Sequence, residues 1–174
     1  MQTLKGQNLT LRALELEDLE FLFQIENNEV FWEVSHTQAP FSKYILKKYI
    51  ENSHLDIFDT KQLRLLIEEK STKKQVGMID LFDFNPQHLR AGIGILIHPE
   101  FQQKGFASEA LSMIINYCFS HLNLHQLYVN ISSDNIKSMS LFGKHHFKQI
   151  GIKKDWILSG GTFKHEILFQ LIKD

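Results

Sequence analysis

Residues 92–120, GIGILIHPEFQQKGFASEALSMIINYCFS, restrict the fold more than any other stretch of the chain. They open with Ile93-Gly94-Ile95-Leu96-Ile97, where every position except the glycine is a branched aliphatic, the composition of a strand buried on both faces. Pro99 ends the strand, because proline offers no N–H to a ladder. A polar loop then leads into a second pattern. Ala107, Ala110, Leu111, Ile114, Ile115 and Cys118 fall at i, i+3, i+4, i+7, i+8 and i+11, which is one face of a helix. A buried strand followed by such a helix is a crossover, so the next strand, read at 124–132, lies parallel to the first.

Between strand and helix stand Gln102, Gln103, Lys104, Gly105, Phe106 and Ala107, with Ser108 next. The first turn of a helix leaves backbone N–H groups without partners, and the helix dipole adds about half a positive charge there. Glycine and alanine let an anion come close to the backbone, and Lys104 contributes a full charge. The loop has the makings of a phosphate cradle. Taken alone, such a glycine more often serves only to turn the chain into the helix.

The remaining elements follow from periodicity and punctuation. Residues 8–13 read as a first strand, and Glu17-Asp18 begins a helix that stops at Asn27-Asn28. Residues 31–40, FWEVSHTQAP, read as a loop. A second helix is expected over 42–54 with Ser42 as N-cap, and 56–60 return to loop. Two strands, 62–69 and 75–84, flank a polar break and form an antiparallel hairpin. After the strand at 124–132, Asp134 is placed to cap a helix reaching about His146. Strands at 149–154 and 163–172, joined through Ser159-Gly160-Gly161, close the chain. With 174 residues and no internal repeat or linker, 1–174 read as a single domain.

Composition narrows the function. Hydrophobic content of 43% and charged content of 22% suit an ordinary globular domain. A net charge of −1 without a basic stripe argues against a nucleic-acid partner. No apolar run approaches the ~20 residues of a bilayer span, and no secretory signal opens the chain, so no membrane partner is expected and the cytoplasm is the expected compartment. A lone Cys118 leaves neither a disulfide nor a thiolate metal site, and His121 and His125 straddle a helix end, so no metal is expected. Charge is unevenly spread. Residues 1–60 hold ten acids and five Lys/Arg, a balance of −5, whereas 101–174 hold five acids and eight Lys, a balance of +3. A polyanion held at one end and a cationic amine at the other would produce this division.

The order Gln-x-x-Gly-x-Ala, after an apolar strand and before an amphipathic helix, resembles the acetyl-CoA motif [QR]-x-x-G-x-[GA] of the GNAT (Gcn5-related) N-acetyltransferases. A second stretch, Asn135-Ile136-Lys137-Ser138-Met139-Ser140-Leu141-Phe142, resembles that family's N-x-x-[AS]-x-x-[LI]-[YF] segment. The resemblance covers nearly the whole chain. It implies an α/β (α+β) GNAT fold: a twisted, mostly antiparallel mixed sheet of about seven strands, about four helices, and a splayed central parallel pair. It further implies acetyl-CoA as cosubstrate. Residues Gln102 to Ser108 would lie on the pyrophosphate, the backbone of Ile95, Leu96 and Ile97 along the pantetheine arm, and Asn135, Lys137 and Ser138 on pantetheine and the adenosine phosphates, with Phe142 also on the cofactor. Lys144 is a further candidate for the 3′-phosphate.

In that family an amine attacks the thioester directly within a ternary complex. An alkylamine with a pKa near ~10.4 is cationic at pH 7, and freeing its lone pair costs about 4.6 kcal/mol. A carboxylate, directly or through water, can take that proton. Asp80 and Asp83 are the candidates, placed on opposite faces of one strand by their odd separation. Within the family the chain most resembles the spermidine N-acetyltransferases, through LTLRALELEDLEF, the strand motifs and NLHQLYV. That likeness puts Asp83 first and Asp80 second, and gives Glu33, Trp32 and Asp83 to the acceptor, a small-molecule primary amine such as a polyamine. Two departures stand out. Phe142 replaces the family's tyrosine general acid, leaving Tyr128, His145 or no dedicated acid, and His146 replaces a glycine before Phe147. A protein N-terminal or lysine acetyltransferase of the ribosomal-protein type, and a non-catalytic acyl-CoA-binding module, remain as alternatives. A homo-oligomer is left open.

Overall fold

Alternation and turn chemistry divide residues 4–173, which the computed structural model describes, into one seven-stranded sheet and six α-helices. In chain order these are β1 (Leu9–Arg12), α1 (Leu19–Glu26), α2 (Glu29–Ser35), α3 (Lys43–Glu51), α4 (Ile57–Thr60), β2 (Leu63–Glu69), β3 (Gln75–Asn85) and β4 (Arg90–Ile97). Then come α5 (Phe106–Ser120), β5 (Gln126–Ser132), α6 (Ile136–Lys144), β6 (Lys148–Ser159) and β7 (Thr162–Ile172). The strand order is β1-β2-β3-β4-β5-β7-β6, with β4–β5 the parallel pair and the other neighbours antiparallel.

Six helices form where about four were expected. The stretch read as a loop at 31–40 begins inside α2, because Asn28 caps that helix by accepting from the Val30 amide, while Phe31 turns inward with 9% exposure. Asp56 likewise caps the single turn of α4, in the second stretch read as loop. Ser42 does cap α3, accepting from the Ile45 amide at 3.2 Å. Asp134 does not cap α6. Asn135 does, accepting from the Ser138 amide at 3.1 Å, whereas Asp134 accepts from the Ser132 hydroxyl. The expected terminal strands lengthen into a hairpin, β6–β7, closed by Gly160 and Gly161 at positive φ.

Two apolar layers cover the two faces of the sheet. On one, α5 buries Phe106, Ala110, Leu111, Met113, Ile114 and Cys118 against β1 to β5, joined by Phe142 of α6. On the other, Leu22, Ile25, Phe31, Leu46 and Ile50 of α1 to α3 pack on Leu66 and Met78. Each fully buried Leu or Ile contributes about 1.5–3 kcal/mol by leaving water.

A buried ion pair ties β1 to the start of α1. Asp18, 1% exposed, accepts from Arg12 at 2.7 and 2.9 Å, from the Glu15 amide at 2.9 Å and from Gln75 at 3.1 Å. Burial by itself would raise the Asp18 pKa, but these donors outweigh it and hold the carboxyl below its ordinary value. Breaking such a pair on one side leaves an uncompensated charge, so Asp18→Asn is expected to cost about 3 kcal/mol in urea unfolding at pH 7. Because the folded-state pKa is depressed, this stability is present above the unfolded value of about 3.9 and lost as pH falls through the folded one. The gap between the two proteins should therefore narrow in acid. An equal gap at pH 7 and pH 3 would assign the loss to packing instead.

Candidate active site

The parallel pair is a fork. β4 and β5 share a register only from Arg90–Gln126 to Gly92–Tyr128, and from Ile93 onward β4 is paired to β3 alone. Backbone groups of Ile93 to Ile97 thus face the opening left where β5 diverges from β4. The splayed central parallel pair expected from the resemblance is this one, paired at three positions before it opens. A cleft of about 670 Å³ fills the fork, lined by β3 through Asp80 and Phe82, by β4 through Ile93 to Ile95, by β5 through Val129 to Ser132, and by parts of α2, α6 and β7.

At the mouth of this fork β4 passes through a 3-10 turn, Pro99–Phe101, into the loop and α5. The Gln102 side chain donates to the Ile97 carbonyl at 3.2 Å and its amide to Pro99, so Gln102 fastens the loop to the strand end. Gln103 and Gly105 both take positive φ, 62° and 81°. These left-handed residues turn successive amides toward one side. Gly105 is the N-cap of α5 and offers no side-chain cap; among the described residues, the amides of Gln103 to Ser108 have no protein acceptor. A Cβ added at Gly105 would meet no protein atom within 4 Å, so the space over the amides is open. Lys104 holds its ammonium 5.0 Å from the Phe101 ring centroid, beside this opening. Unpartnered amides, a free helix start, a cation and open space together suit a diphosphate. Ser108 lies in the same turn, its hydroxyl 2.8 Å from Nε2 of His145, whose pKa burial lowers.

The two candidate carboxylates part company. Asp80 lines the cleft beside Gly94, its pairing partner on β4, and accepts from Arg64 at 2.8 and 2.7 Å. Asp83 sits in a bulge between Phe82 and Asn85 with φ of 47°, so simple alternation does not fix its direction. It accepts from the Tyr128 hydroxyl at 3.0 Å, and neither residue lines the cleft. Burial, then the bond to Asp83, pushes the Tyr128 phenol up to about 12. Phe82, packed edge-on against Tyr128 at 5.8 Å, does line it.

On the facing wall, Glu33 lies on α2 rather than in a loop and reaches the cleft, accepting from Ser159 and, at 2.8 Å, from Lys164. Lys164 first and Ser159 second hold its carboxyl below the ordinary value. Trp32 turns elsewhere, its indole donating to the Glu26 carbonyl at 2.9 Å. Asn135 and Ser138 line the cleft from the start of α6, while Lys137 is exposed to solvent. Phe142, 2% exposed, packs edge-on against Phe147 at 5.0 Å. Lys144 lines a separate groove with Phe119, Lys148 and Ile172.

Three cleft residues were not singled out from the sequence. Arg64 bridges Asp80 and Glu26 and lies 5.5 Å from the Tyr49 ring; Lys164 joins Glu33 to Asp134; Glu166, 5% exposed, pairs with Lys153. An arginine or glutamate inside an otherwise apolar strand, as in LRLLI and HEILF, is the one signal that could have found Arg64 and Glu166; Lys164 carries no such mark. Cleft acids Glu33, Asp80, Asp134 and Glu166 outnumber cations Arg64 and Lys164, a balance of −2.

Residues 8–148 match the model of the acetyltransferase (GNAT) domain. The chain is 31% identical over 159 residues to the spermidine N(1)-acetyltransferase of Vibrio cholerae serotype O1, covering 89% of this chain and 88% of that one. The crystal structure of spermidine N-acetyltransferase from Vibrio cholerae in complex with CoA and spermine superposes with a TM-score of 0.86 at 28% identity, covering 95% of both chains. A dodecameric structure of the Vibrio cholerae enzyme gives 0.79 at 30% identity, covering 95% and 94%.

Proposed function

We propose, on the premise that this chain belongs to the GNAT acetyltransferase family, that it transfers the acetyl group of acetyl-CoA to a primary amine of a small molecule, with polyamines such as spermidine as the fitting class. One observation carries the proposal: a fork whose mouth is an uncapped, open helix start and whose interior is acidic. The first matches a diphosphate and the second a cation, and a small-molecule amine acetyltransferase must hold both.

Acetyl-CoA brings the acetyl group as a thioester. The amides from Gln103 to Ser108, with Lys104, hold its pyrophosphate; Gln102 holds the loop. The open edge of Ile95 to Ile97 receives the pantetheine amides, and Asn135 and Ser138 close the other side, with Lys137 at the rim. Asp80 takes the proton of the incoming ammonium through water, and free β4 amides stabilise negative charge arising on the carbonyl oxygen. The remaining cleft acids retain the cationic tail of the acceptor. A spermine-bound neighbour supports the acceptor class, and a dodecameric one supports a homo-oligomer.

CoA release measured with spermidine, spermine and simple alkylamines tests the reading. Release with at least one amine is expected; none with any amine would overturn it. Tyr128 has no part in this scheme, because a phenol at about 12 that already donates to Asp83 is a poor proton source. Tyr128→Phe should keep kcat within about threefold, since protonating a thiolate of pKa near ~8.5 needs no strong acid. A loss of about 100-fold would restore the phenol as the general acid.

A further inference from the structure

Lys164 reaches from β7 into the acidic wall of the cleft and ends between two carboxylates. Its Nζ donates to Glu33 Oε1 at 2.8 Å and lies 2.7 Å from Asp134 Oδ2. Each acid is steadied on its other oxygen by a hydroxyl, Glu33 by Ser159 and Asp134 by Ser132. The three side chains are 24%, 35% and 54% exposed for Lys164, Glu33 and Asp134, so water and solutes reach them. Ion pairs this open add little to folding. Their position in the cleft wall is the more telling property.

The group they hold is a primary ammonium at the end of four methylenes, the same chemistry as an alkylamine acceptor. Val30 and Val34 share the cleft-facing side of α2 with Glu33, at i−3 and i+1, and are 76% and 59% exposed. Apolar side chains beside a carboxylate pair suit a methylene chain ending in a cation. Resting on the reading of the cleft as an amine site, we propose that Lys164 is a built-in surrogate for an acceptor ammonium: it occupies the Glu33–Asp134 pair, so a second cationic centre is received there only by displacing it. Lys164 is thereby the residue that sets discrimination between monoamines and diamines or polyamines.

Calorimetry with butylamine, 1,4-diaminobutane and spermidine, on the full chain and on Lys164→Met and Lys164→Arg, tests this. In Lys164→Met the diamine and spermidine should bind about five- to tenfold tighter, and gain more than butylamine does. That gain should shrink in about 0.5 M salt, and Lys164→Arg should show little of it. Coenzyme A titrated into each variant checks that the fold is kept. Equal shifts for mono- and diamine, or no shift, would overturn the proposal. Binding is read without turnover, so the two readings separate: the expected binding shift without CoA release from any amine would leave Lys164 as the gatekeeper and discard acetyl transfer.

Discussion

Gly105→Val is expected to bind coenzyme A at least about 100-fold more weakly in calorimetry, the loss of roughly two charge-assisted hydrogen bonds, while still folding. Two effects act together. Gly105 has φ of 81°, where a β-branched residue is strongly disfavoured, so the chain relaxes away from the geometry that aligns the loop amides. The added side chain also projects into space that holds no protein atom within 4 Å, so it collides with the ligand and not with the core. Gly105→Ala separates the two. It keeps most of the space and incurs only a left-handed penalty of about 1 kcal/mol, so its loss should be nearer tenfold. An unchanged affinity in Gly105→Val would mean that the amides of Gln103 to Ser108 do not hold the diphosphate.

That loop was legible because its signals are local. A β strand, Gly105 and an amphipathic helix lie within thirty consecutive residues, and each obeys a short-range rule. The opposite holds for the acceptor wall. Glu33 meets Lys164 across 131 positions and Arg64 meets Glu26 across 38, and no periodicity records such pairs. The α2 helix escaped notice because Phe31-Trp32-Glu33-Val34 mixes aromatic and β-branched residues of modest helix propensity; its formation depends on the Asn28 cap and on burying Phe31. The Asp83 bulge escaped for another reason. Alternation assumes an unbroken pleat, and one left-handed residue between Phe82 and Asn85 resets it. The sequence's likeness to the spermidine N-acetyltransferases put Asp83 first, but it is Asp80 and not Asp83 that lines the cleft.

Asp80→Asn should accordingly lower kcat by about 10²–10³ with the acceptor that the wild type uses, the lower part of the usual range for removing a general base. The substitution keeps size and one acceptor oxygen for Arg64, which also retains Glu26, so the fold of the cleft floor should survive. Asp80 is well placed for the role because it stands over Gly94, on the part of β4 that has already left β5, where the open strand edge begins. The pH profile gives the sharper readout. Without a base the reaction relies on the small fraction of free amine, which rises about tenfold per pH unit below an amine pKa near ~10.4. The Asn protein should therefore climb steadily through alkaline pH where the wild type has levelled off, and the two should converge. Asp83→Asn is the companion measurement: its carboxylate lies outside the cleft and meets Tyr128, so it should change kcat far less. If Asp83→Asn instead lost activity and Asp80→Asn kept it, with parallel pH profiles, the proton would leave by the bulge and not by the fork.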